Sequence, residues 1–225
     1  MARKVGSQGV KTADAIRQAG LQLIFEHGYE GMSLRDLAQA VGLQPGSLYN
    51  HIATKQALLF DLVREHMLAL TAALDEALAD VEGALPRLDA FITFHLRYHL
   101  TRKIEVFVNN AELRSLEPDN RAAIMLLRRA YEQRLAAILA DGAATGAFAV
   151  PDIPVATYAI LSMLTGVASW YNPDGRLGED TIVAIHRQLI LGGIQGRFAK
   201  LRGHAGKGAS TDEIMAMTRG ARRKG

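Results

Sequence analysis

The sequence predicts an all-α chain: a small N-terminal helix-turn-helix unit of three helices, then a larger helical domain, with about nine helices altogether. Three observations predict it. Two short helices meet at a sharp turn between Gly28 and Lys55, every long segment beyond Lys55 repeats its apolar residues at helical spacing, and no run alternates with the period of two that a half-buried strand shows. At 225 residues, 49% hydrophobic and 22% charged, the chain can bury a sizeable core and has room for both parts. The expected division is an arm and helix-turn-helix unit over 1–55, a larger helical domain over 56–199 and a basic flexible tail over 200–225.

An opening helix is expected to end at Gly28-Tyr29. Leu34, Leu37, Ala38 and Val41 then recur at helical spacing behind Ser33, whose hydroxyl can accept a backbone N–H bond and cap the helix. Gly42 ends that helix, since glycine fits the left-handed conformation common at helix C-termini. The next opens at Gln44-Pro45 and runs to about His51, with Pro45 preorganised for a first helical turn. Such a helix is too short to be a core element. Pro45, Gly46 and Ser47 leave little bulk at its N-terminus, so its backbone can approach a polyanion. Gln44, Ser47, Tyr49, Asn50 and His51 surround an inward-facing Leu48 with hydrogen-bonding groups, the mix that base edges and phosphates in a major groove require. Thr54 caps the following helix, and Lys55 stands at its start, placed for a phosphate. A capped surface hairpin is the plainer reading, but it does not account for Tyr-Asn-His following the turn.

The segment from Thr12 to Phe60 resembles the N-terminal domain of TetR-family transcriptional regulators. Phe25, Gly28 and Tyr29 match the end of that family's first helix, and Leu34, Leu37, Ala38, Val41, Gly42, Leu43, Gly46, Leu48, Tyr49, His51, Ile52, Lys55 and Leu58 follow its helix-turn-helix pattern. Leu37 stands for the usual Ile and Ile52 for the usual Phe, which keeps apolar volume. Gln44-Pro45 replaces a commoner Ser-Lys or Ser-Arg pair and removes a cation, so no operator sequence carries over. The resemblance implies double-stranded operator DNA as partner, with Ser33, Arg35, Gln44, Pro45, Gly46, Ser47, Tyr49, Asn50, His51 and Lys55 as the DNA-contacting set.

Beyond Lys55, a helix to about Val81 carries Leu58, Leu59, Leu62, Met67, Leu70, Leu74 and Leu78 along one side and connects the two parts. Gly83 and Pro86 break it. Helices are expected over Pro86 to Thr101, Ile104 to Ser115, Pro118 to about Ala140 (loosened by Gly142 and Gly146), Val155 to Tyr171 and Asp180 to Phe198. The last two are the pair with which resembling proteins form a homodimeric four-helix bundle. Ile182, Ile185, Leu189, Ile190 and Ile194 supply an apolar stripe, and Gly192, Gly193 and Gly196 permit close approach.

Phe91, Phe94, His95, Tyr98, Phe107, Asn110, Leu127, Arg128, Tyr131, Met163, Gly166 and Trp170 are the candidate lining of one apolar cavity with a few polar points. Aromatic residues at helical spacing also serve as plain core. The stretch from Glu112 to Tyr171 is similar to the TetR branch that answers to acyl-CoA thioesters. That resemblance implies a small apolar or acyl-CoA-type effector and would set Arg114, Arg121, Arg128 and Arg129 near a pocket entrance, to meet a CoA phosphate.

The implied function is a ligand-responsive repressor on a palindromic operator; an activator of the same fold, or a regulator with a vestigial pocket, is the alternative. A more remote one is a metal-binding helical enzyme using His95 and His99, an i, i+4 pair without the neighbouring carboxylate of a catalytic zinc motif. No phosphate loop, dinucleotide fingerprint or nucleophile elbow is present, so no catalytic residue, cofactor or metal is expected. The chain has no cysteine, which excludes disulfides and thiol chemistry. No apolar stretch follows the basic N-terminal residues, so a cytoplasmic protein is expected. Residues 153–173 are free of charge over roughly the length of a membrane span, but Pro154, Thr157, Ser162, Thr165, Gly166, Ser169 and Asn172 dilute them, and no membrane helix is expected. From Lys200 onward seven Lys or Arg stand against two acids. That tail reads either as a solvated end or as a nonspecific phosphate-binding arm, and Arg3, Lys4 and Lys11 are candidates for further phosphate contacts.

Overall fold

The computed structural model describes the backbone of residues 5–195, and side chains from residue 11 onward. Arg3, Lys4, Gly196, the expected helix end at Phe198 and the basic tail lie outside the described residues. Nine α-helices and no strand are found among the described ones: α1 Val5–Gly31, α2 Leu34–Ala40, α3 Pro45–Leu48, α4 Lys55–Leu78, α5 Ala84–Thr101, α6 Lys103–Ala111, α7 Pro118–Ala144, α8 Ile153–Trp170 and α9 Glu179–Ile194.

Local chemistry fixes most ends. Ser33 Oγ accepts from Asp36 N at 3.1 Å while Asp36 Oδ2 accepts from Ser33 N at 3.3 Å, a reciprocal capping box. Thr54 Oγ1 accepts from Ala57 N at 2.9 Å, and Asp152 Oδ1 accepts from Val155 N at 2.8 Å. Gly42 has φ +67°, the left-handed conformation expected of it. At Gly28 the backbone turns to φ 72°, ψ 162°, so the helical ladder is broken there before one last turn to Gly31.

Of the boundaries that differ from expectation, three have a clear local cause. α3 stops at Leu48, because Asn50 and His51 bond back three residues, to Ser47 O and Leu48 O, in a tighter turn that aims the segment at Thr54. The helix expected to reach Ser115 ends at Ala111 and tightens into a 3-10 turn, Glu112–Ser115. Conversely, α7 passes through Gly142 instead of loosening there. A Cβ on Gly142 would lie 1.9 Å from Phe148 Cδ2, so glycine lets the returning chain lay an aromatic ring on the helix. Gly142→Ala should therefore cost about 1–3 kcal/mol, seen as a lower urea midpoint at unchanged slope.

Two apolar clusters sit along α4. One joins α1, α2, α3 and the first half of α4 through Ile16, Ile24, Leu37, Leu48, Leu58 and Leu59, and also takes in Val108, Leu116 and Ile124 from the later helices. The other surrounds α5, which packs against α4, α7, α8 and α9 with Phe91, Ile92 and Leu96 fully enclosed. α4 thus belongs to both. Arg134 clamps Asp75 of α4 through two bonds of 2.6 Å, and Arg187 of α9 clamps Asp89 of α5.

α8 is the one described helix long and apolar enough to cross a membrane. Ile160, Leu164 and Val167 face the core, whereas Val155 (65% exposed), Tyr158 (58%), Met163 (44%) and Trp170 (57%) face outward. On α9 the expected stripe divides. Ile182 and Ile190 turn into the core, and Ile185 and Leu189 stand outside. The outward apolar surface therefore comes from both helices.

Candidate DNA-reading face and effector cavity

The outer face of the N-terminal unit is built on Leu48, which is fully buried and anchors α3 against the first cluster. Gln44, Pro45, Gly46, Ser47, Tyr49, Asn50 and His51 are all exposed around it, as is Arg35 on α2. A Cβ on Gly46 would meet nothing within 4 Å, so packing inside the chain does not demand glycine there. Two members of the expected set also have internal tasks. The Ser33 hydroxyl is engaged in the α2 cap. Lys55 is half-buried: its Nζ donates to Glu30 O at 3.2 Å and sits 4.3 Å from the centre of the Tyr29 ring, tying α4 to the end of α1.

A cavity of about 520 Å³ lies between α4, α5, α6, α7 and α8. Met67, Leu70, Leu113, Met125, Tyr158 and Leu161 form its apolar wall; His95, His99, Asn109, Asn110, Arg128, Tyr131, Glu132, Ser162, Thr165 and Gly166 form the rest. Of the twelve residues expected to line it, His95, Asn110, Arg128, Tyr131 and Gly166 do so. Phe91 lies behind His95, fully buried in the core, with the two rings 5.8 Å apart. Phe94 and Tyr98 pack on each other at 5.4 Å, away from the wall, and Leu127 fills the junction of the two clusters. Phe107 is exposed and meets Phe25 edge-on at 5.0 Å; Met163 and Trp170 point outward from α8. The wall is thus more polar than the sequence suggests. Met67 and Leu70 on the connecting helix, Asn109, Met125, Glu132 and Tyr158 escape sequence reasoning; spacing does not tell which side of an enclosed helix meets a cavity.

Electrostatics in this wall follow from burial. His95 contacts Tyr131 Oη through Nδ1 at 2.8 Å and Thr165 Oγ1 through Nε2 at 3.1 Å, so both its ring nitrogens are taken. Its ring stacks on His99 at 3.8 Å. Burial holds His99 and the nearby His66 down to about 4, and pushes His95 well below the usual imidazole range, with the neighbouring His99 adding to it. Both His95 ring nitrogens are thus engaged within the chain, and the stacked His95–His99 pair packs as part of the wall. Arg128 donates to Asn110 Oδ1, and burial lowers its pKa. Arg121 and Arg129 line an adjoining groove on α7 that shares Met125 with the cavity; Arg114 lies on neither wall.

Between cavity and DNA-reading unit runs a chain of hydrogen bonds. The break at Gly28 frees the Tyr29 amide from the helical ladder, and it donates to Glu112 Oε1 at 3.1 Å. The other Glu112 oxygen accepts from Ser115 Oγ at 2.7 Å; Gln56 of α4 donates to Ser115 O at 2.6 Å and accepts from Glu117 N at 3.1 Å. Glu112 directly precedes Leu113 in the cavity wall. Glu112→Ala should leave effector binding within about twofold of wild type but cut the effector's influence on DNA affinity by about tenfold, read as a loss of mutual coupling in a two-ligand titration.

Known proteins are similar over most of the chain. Residues 16–62 match the model for bacterial regulatory proteins of the tetR family, and residues 82–194 match the tetracyclin repressor-like C-terminal domain. The HTH-type transcriptional repressor KstR2 of Mycolicibacterium smegmatis is 24% identical, over 86% of this chain and 96% of its own length. Among solved structures, the TetR-family transcriptional regulator PfmR of Thermus thermophilus is 34% identical with a TM-score of 0.72, covering 78% of this chain and 96% of that one. AibR in complex with isovaleryl coenzyme A and operator DNA is 26% identical with a TM-score of 0.74, covering 79% and 97%. An exposed recognition segment on a buried Leu48, one long connecting helix and a helical domain enclosing a cavity agree with those matches: the chain belongs to the TetR family and is a helix-turn-helix DNA-binding transcriptional regulator with the architecture of a ligand-responsive repressor.

Proposed function

We propose that this protein is a homodimeric, cytoplasmic repressor released from a palindromic operator by an acyl-CoA thioester. The observation that carries the effector class is the placing of Arg128 in the cavity wall, with Arg121 and Arg129 on the groove that continues from it. A cavity of about 520 Å³ takes an acyl group but not a whole coenzyme, and arginines on the adjoining groove suit its phosphates. AibR, whose structure contains isovaleryl coenzyme A, supports the same assignment by likeness.

On DNA, Tyr49, His51, Arg35 and Lys55 contact phosphates together with Ser33 and Ser47, Gln44 and Asn50 read base edges, and Pro45 with Gly46 keeps the approach clear. The outward apolar faces of α8 and α9 close on a second copy, setting two recognition segments about one helical turn of DNA apart. Filling the cavity biases α6 and α4, and through Glu112 and Gln56 the pose of the recognition unit. For a tenfold loss of operator affinity the effector need favour the released state by only about 1.4 kcal/mol.

The experiment is a fluorescence-anisotropy titration against DNA from upstream of its own gene, at two salt concentrations, with isovaleryl-CoA, a long-chain acyl-CoA or free CoA added. The expected result is tight sequence-dependent binding that a thioester lowers by about tenfold or more and free CoA does not. Tyr49→Ala and His51→Ala should weaken every sequence alike, and Gln44→Ala and Asn50→Ala should change base preference by about 1–3 kcal/mol per site. Binding indifferent to every thioester would remove the acyl-CoA assignment. Weak binding to all sequences, abolished by salt, would remove the repressor.

A further inference from the structure

Asn109 of α6 is 5% exposed and stands in the cavity wall, yet its Oδ1 accepts no hydrogen bond from the chain. The amide orientation is fixed by chemistry: the nitrogen faces Met67 Sδ at 3.6 Å, and a thioether can accept but not donate. The free atom is therefore the acceptor. His99, also in the wall, donates from Nδ1 to His95 O at 2.8 Å, since a carbonyl only accepts. Its burial keeps the ring neutral, which makes Nε2 a second acceptor. Buried acceptors left bare by an alkyl chain carry a desolvation penalty that a donor on the ligand removes.

Resting on the acyl-CoA reading above, we infer that the effector carries a hydroxyl on its acyl chain, which donates to Asn109 Oδ1, with His99 as the neighbouring acceptor. Asn109 is buried and turned toward Met67 of α4, whereas its neighbour Asn110 is exposed and holds Arg128. The ligand class is a hydroxyacyl-CoA, for which 3-hydroxyacyl thioesters serve as probes, not the plain saturated thioester.

The test compares butyryl-CoA with 3-hydroxybutyryl-CoA, and octanoyl-CoA with 3-hydroxyoctanoyl-CoA, in calorimetric binding to the full chain and in release of operator DNA. Wild type should favour the hydroxylated member of each pair by about tenfold or more. Asn109→Leu, similar in volume, should bring the ratio close to one. The wild-type ratio tests the inference even if N109L does not fold. Equal response to both members, or preference for the saturated one, overturns the hydroxyl while leaving the acyl-CoA reading in place. A preference that survives in folded N109L overturns the assignment to Asn109. No response to any of the four thioesters sinks the acyl-CoA reading and this inference with it.

Discussion

Acidification from about pH 7 to about pH 5 is expected to remove about 4 kcal/mol of folding stability, because His66 and His99 are held neutral in the interior. Both have folded pKa values lowered to about 4 against 6.5 in the unfolded chain. Above 6.5 neither state binds the proton, and the folded state is at full stability. Between 6.5 and about 4 the unfolded chain takes protons that the folded one refuses, so stability falls as pH falls. At pH 5 each group then contributes a loss of about 2 kcal/mol. His95, fully enclosed and lowered by burial, works in the same direction. Charges facing His66 reinforce the effect, since Arg102 and Arg128 oppose a third positive group beside them. Urea midpoints measured in steps of pH should decline steadily below 6.5, and His66→Phe should show a shallower decline. Stability that is flat from pH 7 to 5 would contradict neutral buried histidines.

A double substitution on the outward face of α9, Ile185→Glu with Leu189→Glu, is expected to give a folded monomer with operator affinity reduced by about 100- to 10,000-fold. Both side chains are exposed in the single chain, 39% and 50%, so charge there does not disturb the core packing of Ile182 and Ile190. In a dimer the same carboxylates meet their symmetry mates across a closed apolar face and have no partner. A monomer engages one half-site and forfeits the second, which supplies the stated range. Sedimentation velocity should show half the wild-type mass with unchanged helicity. A variant that remains dimeric would place the interface elsewhere on the molecule.

The fold was legible where a local interaction decides the outcome. Ser33 and Thr54 accept the backbone bonds expected of cap residues, and Gly42 takes positive φ. Gly142 does not loosen its helix because its reason lies six residues on, in the Phe148 ring that rests on it. The recognition segment was legible because its small and polar residues must stand outside a buried Leu48. The cavity was only partly so. α5 is enclosed by four helices, and its sequence does not say that His95 and His99 face the cavity while Phe91 lies behind them in the core. α8 is apolar around its circumference, so Met163 and Trp170 read as well for a wall as Tyr158 and Leu161, though only the latter two line the cavity. Nor does anything local mark Glu112, whose partner Tyr29 is distant in sequence.

On the proposed function, an acyl thioester in the cavity moves the two recognition units of a dimer apart or together through α4. The absence of cysteine makes one measurement direct. A spin label on Gln39→Cys, exposed on α2, reports the distance between the two units of the proposed dimer by pulsed electron resonance. With operator DNA the distribution should be narrow, consistent with recognition segments about 34–36 Å apart. Adding the thioester should shift its centre by several ångströms, and Glu112→Ala should reduce that shift. A distribution unchanged by a thioester that nonetheless releases the DNA would contradict the account.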